Sequence, residues 1–247
     1  MPFDDAIITP YRSSKTPVLG PLALMVATRG DLALLCRRLA LPRDQFQRIF
    51  TSRLYQTELA GIPLSVAGPM MGAPYAAAIL ETLIAWGARR ILFWGWCGAI
   101  ATHLRNGDLV LPTAALSGEG TSRHYQPELA EEEVLQPSRE LVKHLGQPPA
   151  EGAPHPHPGL IWTTDAVFRE TREKIADLQA QGVLAVEMEL AALFSVARFR
   201  GVALAGLLVV SDELGTLAWR PGFSSDAFQQ GRAAGLARVL TCCQALG

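Results

Sequence analysis

The sequence has no excess of charge, no long apolar run and no metal-type spacing of cysteines. Its 22 basic and 23 acidic residues leave a net charge of −1 over 247 residues. So balanced a chain announces no basic face for nucleic acid or an anionic membrane. The longest apolar run, Val202–Val210, is strand-sized, well short of the roughly 18–20 residues of a membrane span. The opening Met1-Pro2-Phe3-Asp4-Asp5 has acids where a secretory leader needs bases, so no leader is expected. The four cysteines, Cys36, Cys97, Cys242 and Cys243, lie far apart or adjacent. They form neither a zinc set nor a convincing disulfide framework, and a reducing cytoplasm is the expected setting. His155 and His157 have no third ligand at useful spacing, so no metal is expected. There is no internal repeat. No G-x-G-x-x-G follows the first apolar run, which argues against a nicotinamide oxidoreductase.

What is present is apolar bulk. Hydrophobic residues make up 49% and charged residues 18%, enough for a sizeable core, and a single domain over 1–247 is expected. Dense apolar runs at Leu22–Thr28, Ile62–Ala67, Arg90–Trp96, Leu109–Pro112, Leu160–Thr163 and Val202–Val210 read as strands buried on both faces. Ile49–Leu59 reads as a further strand, with Ala60-Gly61 as a hairpin turn. Helix-like stretches occupy Leu32–Leu39, Ala73–Trp86, Arg169–Gln181, Glu187–Arg200 and Ser224–Ala245. The proline-rich stretch Gly146–Gly159 reads as a surface loop. Strands alternating with helices predict an α/β fold, a three-layer α/β/α sandwich around a mixed central sheet.

Two segments carry chemistry. In Glu187-Met188-Glu189 two carboxylates flank a methionine at the expected start of a helix; in Ser211-Asp212 an acid ends the most apolar strand. A carboxylate bonded to sugar hydroxyls gains strength as positive charge develops on a ribosyl group, and an acid of raised pKa protonates a leaving base. Both segments also have a plain structural reading: acids in a first helical turn complement the dipole, and Ser-Asp is a common capping pair.

The joint order of the Gly30-Asp31 pair, Gly68-Pro69-Met70-Met71-Gly72, Gly95-Trp96-Cys97-Gly98-Ala99, Gly107-Asp108-Leu109-Val110, Gly120-Thr121-Ser122-Arg123-His124-Tyr125, Glu187-Met188-Glu189 and Ser211-Asp212 resembles the purine nucleoside and uridine phosphorylase superfamily, which includes nucleosidases. The resemblance implies a partly barrel-like central sheet, cleavage of the N-glycosidic bond of a nucleoside, and no cofactor beyond inorganic phosphate as co-substrate. It places Glu189, Met188 and Glu187 at the ribose, Asp212 as the catalytic acid, and Phe168, Ser211, Cys97 and Gly98 around the base. Gly30, Gly95, Trp96, Arg53 and Arg123 are its phosphate-side candidates. The aspartate favours a purine. Relatives are dimers, trimers or hexamers, so a homo-oligomer (dimer or hexamer) is expected.

The chain departs from that pattern where phosphate binds. The family's Gly-Asp-Pro-x-Arg is here Gly30-Asp31-Leu32-Ala33-Leu34, and its Arg-x-Gly-Ser-Cys-Gly is Phe93-Trp94-Gly95-Trp96-Cys97-Gly98. Phosphate sites use fixed cationic donors, and both expected arginines are missing. Trp96 either fills that corner, stacks on a base or packs in the core. After Asp165 no glutamine matches the pyrimidine-reading residue of uridine-type relatives. Hydrolytic relatives use an arginine four residues before the final aspartate, where this chain has Leu208, and an N-terminal glutamate, where it has only Asp4 and Asp5. The leading expectation is therefore phosphorolysis of a purine nucleoside. The alternatives are a phosphate-independent nucleosidase and a nucleoside-binding protein with weak turnover.

Overall fold

Period-two burial in the first strand sets the layering. Leu22, Leu24 and Val26 enter one apolar cluster while Ala23 and Met25 enter another, so both faces of the strand are covered, as in a central parallel sheet. The structure, a computed structural model, describes residues 6–42, 44–128, 134–147 and 152–247. Asp4 and Asp5 lie outside the described residues. In chain order the elements begin with β1 (Leu22–Val26), α1 (Arg29–Arg38), β2 (Gln47–Ile49), β3 (Ser52–Leu59), β4 (Ile62–Gly68), α2 (Ala73–Trp86) and β5 (Arg90–Ala99). There follow β6 (Leu109–Gly118), α3 (Ser122–Tyr125), β7 (Val134–Leu135), α4 (Arg139–Gly146) and β8 (His157–Thr164). A single 3₁₀ turn at Val167–Arg169 leads to α5 (Arg172–Ala180), β9 (Ala185–Glu187), α6 (Leu190–Arg200), β10 (Ala203–Glu213), β11 (Arg220–Pro221) and α7 (Asp226–Ala245).

The sheet runs β11-β10-β6-β8-β9-β5-β1-β4-β3-β2, with β7 on β6. Strand β10 also pairs with β5, in parallel from Ala203↔Arg90 onward. That second pairing closes β10, β6, β8, β9 and β5 into a five-membered barrel, with β1 to β4 as an open wing. Helices α2 and α6 pack on one face with Met25, Phe93 and Leu208. Helices α1, α4 and α7 pack on the other with Leu24, Trp94 and Val209. The expected α/β/α layering and mixed sheet are therefore present. Among the described residues no helix is long and apolar enough to cross a membrane, and no group of three metal-type side chains occurs.

Five expectations need correction. The strand expected over Ile49–Leu59 is a hairpin, β2 against β3, because the chain reverses at Phe50, whose φ is +53°. The helix expected from Glu187 begins at Leu190, since Glu187 ends β9. The helix expected from Arg169 begins at Arg172, where Thr171 Oγ1 accepts from Lys174 N and caps it. Strand β6 runs past Pro112 to Gly118, its ladder to β8 shifting register between Pro112 and Ala114. The loop expected over 146–159 gives its end to β8, which starts at His157, and residues 148–151 of it lie outside the described residues. The buried Arg238 of α7 holds this region by donating to Leu145 O at 3.2 Å, to Pro154 O at 2.6 Å and to Gln147 O.

Candidate active site

Strands β1, β4, β5 and β10 run parallel through the sheet, and their C-terminal ends meet the start of α6. In α/β sheets that edge is where ligands bind. Helix α6 cannot supply its own first-turn acceptor, so the strand before it does. Glu187 Oε2 accepts from Glu189 N at 2.7 Å and Leu190 N at 2.8 Å. Its other oxygen accepts from Thr163 Oγ1, which accepts from Ala191 N at 3.0 Å. Glu187 is thus filled by its own scaffold and fixes the backbone that carries Met188 and Glu189.

Glu189 is aimed elsewhere. It is buried, and its Oε1 accepts from Gly72 N at 2.6 Å. Gly72 has φ +84° and stands at the N-cap of α2, a conformation that favours glycine. The loop holding it is anchored at several points. Met70 N donates to Ala27 O at 2.9 Å. Ser52 Oγ donates to Pro69 O and lies 2.7 Å from Tyr75 Oη. Gly68 passes so close to Val26 O that no side chain fits there. Met188 is partly exposed between the two buried carboxylates. Burial raises the pKa of both, and the charge of Glu189 raises Glu187 further; two close carboxylates in low dielectric do not both ionise easily.

Cys97 and Gly98 on β5 and Ser211 and Asp212 on β10 are four of the residues expected around the base. Asp212 Oδ1 lies 2.7 Å from Ser211 Oγ, and Oδ2 accepts from Trp219 Nε1 at 3.0 Å. The single Ser211 hydroxyl proton serves either this oxygen or Cys97 O, 3.2 Å away. Asp212 Oδ2 stands 3.2 Å from where a Cβ on Gly98 would be, so a side chain at Gly98 would crowd the acid. Burial raises the pKa of Asp212, while Ser211 and Trp219 pull it back. Burial, then the charges of Asp212 and Glu187, push the Cys97 thiol well up. Cys97, Gly98, Ser211 and Asp212 are thus brought together, with Glu187 and Glu189 nearby. Phe168 is not among them: it lies on the 3₁₀ turn with 97% of its surface exposed.

The phosphate-side candidates separate. Gly30 lies in the first turn of α1, and Asp31 behind it is 0% exposed. Asp31 Oδ2 accepts from Trp96 Nε1 at 2.5 Å and Thr28 Oγ1 at 3.1 Å. Asp31 Oδ1 pairs with Arg232 at 2.6 Å. The Arg232 guanidinium also stands 5.5 Å from the Trp96 ring centre and 3.3 Å from where a Cβ on Gly30 would be. Trp96 is thus tied into this corner, and Gly95 beside it leaves room for the Phe93 ring. Arg53 instead covers Phe46 at 4.6 Å, and Arg123 is on the exposed face of α3. Sequence reasoning missed Arg232, which comes from the last helix. It also missed Glu170, a half-buried acid whose pKa burial and the Asp212 charge raise to about 7. Its position just before the Thr171 cap was the available signal for a fixed backbone there.

The sequence profile of the phosphorylase superfamily matches residues 21–243. The chain belongs to this superfamily. Within the phosphorylase superfamily, it is 30% identical over 154 residues to a guanosine phosphorylase of Halorubrum lacusprofundi, covering 62% of this chain and 63% of that one. It is 30% identical over 157 residues to a DeoD-type purine nucleoside phosphorylase of Bacillus cereus, covering 63% and 66%. The aligned stretch thus spans slightly less than two thirds of these curated relatives. The fold resembles purine nucleoside phosphorylase from Toxoplasma gondii (TM-score 0.80, 18% identity, 93% and 92% covered). It also resembles uridine phosphorylase from Vibrio fischeri (TM-score 0.75, 20% identity, 94% and 100% covered).

Proposed function

We propose that this chain cleaves the N-glycosidic bond of a purine nucleoside with inorganic phosphate as acceptor. One observation carries the reading: Cys97 lies within reach of the charges of both Asp212 and Glu187, and Glu187 fixes the backbone of the buried Glu189, which is tied to Gly72 N. Glu189 would hold ribose hydroxyls, with Met188 packed against the sugar and Glu187 as the cap that fixes both. Hydrogen bonds from the hydroxyls to a carboxylate strengthen as the ribosyl group becomes cationic. Ser211, Cys97, Gly98 and Asp212 surround the base, and an acid at that end makes the base a better leaving group. An acid there suits a purine, whose imidazole ring offers a nitrogen to protonate. The Gly30 turn and the Gly95 amide would orient phosphate, with Arg232 as the cation nearest Gly30; Arg53 and Arg123 are secondary candidates.

One observation favours a second reading, hydrolysis. Asp31, Trp96 and Arg232 satisfy one another at the Gly30 corner, which leaves less charge for an anion. Release of guanine, adenine and uracil from their ribosides, followed with and without phosphate, separates the two. Phosphate-dependent purine release supports phosphorolysis; equal rates support water.

A cytoplasmic homo-oligomer, a dimer or hexamer, is part of the same proposal. Ile8, Tyr11 and Phe50 are exposed and line a cavity of about 690 Å³ with Trp86 and Phe199. Apolar surface of this kind is commonly covered by a second subunit.

A further inference from the structure

We propose that Glu170 is the proton-bearing acid at the base end of the site and that Asp212 is its charged partner. The inference rests on the nucleoside-cleaving reading and assigns the proton within it. Both Asp212 oxygens have donors at hand, Ser211 Oγ at 2.7 Å and Trp219 Nε1 at 3.0 Å. An indole nitrogen only donates, so Oδ2 is held as an acceptor, and donors to a carboxylate favour its charged form. Glu170 is different. Among the described residues its carboxylate has no hydrogen-bond or ion-pair partner. It is half-buried and lines a cavity of about 530 Å³ with Thr171, Leu214, Leu217 and Trp219, the last being the residue that holds Asp212.

Two acids close enough to feel each other share one proton before both ionise. The proton falls to the member without donors. The other charged or titratable groups facing this pair do not reverse the assignment. Arg172 and Glu173 of α5 line the same cavity, and Arg172 Nε is turned to Leu217 O at 3.1 Å. From β5 comes Cys97, whose thiol stays neutral because burial and the Asp212 and Glu187 charges push it up. Burial first and the Asp212 charge second hold Glu170 at about 7.

The step balances. As the C1′–N9 bond of the nucleoside breaks, its electron pair passes into the purine. The Glu170 proton goes to a ring nitrogen of the departing base, and a phosphate oxygen bonds to C1′. Glu170 is left as a carboxylate and regains its proton from water.

The test compares guanosine with 7-methylguanosine, whose base is already cationic and leaves without protonation. Glu170→Gln is expected to lower kcat for guanosine by about 10²–10³-fold. It should leave 7-methylguanosine within about threefold and abolish the fall in guanosine cleavage as pH rises through about 7. Glu170→Asp restores part of that limb. Carboxyl-¹³C titration of the unmodified protein should assign a near-neutral transition to Glu170. The proposal is overturned if Glu170→Gln slows both nucleosides alike or neither. It is equally overturned if the near-neutral transition persists in that variant and disappears in Asp212→Asn. If the unmodified protein releases no base from either nucleoside, the underlying reading fails first, before any variant is compared.

Discussion

The Glu189 carboxylate accepts a 2.6 Å hydrogen bond from the backbone N–H of Gly72, tying the start of α6 to the loop that opens α2. The backbone of Met188 holds the same carboxylate, so its position is set by the scaffold from two sides; in the proposed function it holds the ribose hydroxyls. Glu189→Ala is expected to raise KM for a riboside about 10–100-fold, the scale of a hydrogen bond to a charged group. Inhibition by the free base should barely change. Steady-state kinetics against competition by free purine measure both, and an unchanged riboside KM removes Glu189 from the sugar site.

Asp212→Asn keeps a side chain of the same shape and removes a charge. A neighbouring negative charge raises Glu170, so its loss lowers that pKa and moves the alkaline fall in activity to lower pH. At neutral pH turnover of a purine nucleoside should drop about 10²-fold or more, with substrate affinity changing far less. The pH profile of kcat checks the direction of the shift.

Arg232 neutralises an aspartate that has no exposure. Removing one member of a buried pair leaves an uncompensated charge, typically costing about 3–5 kcal/mol. Arg232→Ala should therefore lower the denaturant midpoint markedly. Adding Asp31→Asn to it should recover much of the loss. If the single variant unfolds like the parent, the pair is not holding α1 to α7.

Glu187 and Glu189 bear on stability as well as chemistry. Both have folded pKa values raised above the ordinary 4.5, chiefly by burial. Between the unfolded and folded values the native state binds more protons, so stability falls as pH rises through that window. Their contribution is fully present below about 4.5 and is lost as pH climbs through the raised values. Glu187→Gln should flatten this dependence, measured as Tm from mildly acidic to mildly alkaline pH. A dependence identical to that of the parent contradicts the burial of a titrating acid there.

Much of the layering was legible because buried strands announce themselves by apolar density: Leu22–Val26, Ile62–Gly68 and Ala203–Glu213 lie within a residue or three of their expected bounds. Local signals failed where a tertiary partner decides the backbone. Glu187 looks like a first-turn helix acid, and its carboxylate does cap α6, but from the strand before it. Phe50 gives no turn signal in sequence and yet reverses the chain. Motif order singled out Glu189, Cys97 and Asp212, and the fold buries all three or nearly so. It gave no sign of Arg232 or Glu170, because one reaches Gly30 from the last helix and the other nears Asp212 beside the Trp219 loop. It placed Phe168 at the base, where the folded chain leaves that ring exposed.

The central claim is transfer of the ribosyl group to phosphate, and the sugar product tests it most directly. Guanosine incubated with the protein and inorganic phosphate should give a new sugar-phosphate ester signal by ³¹P NMR, growing in step with released guanine. Guanine appearing with free ribose and no phosphate ester would contradict the account and identify water as the acceptor.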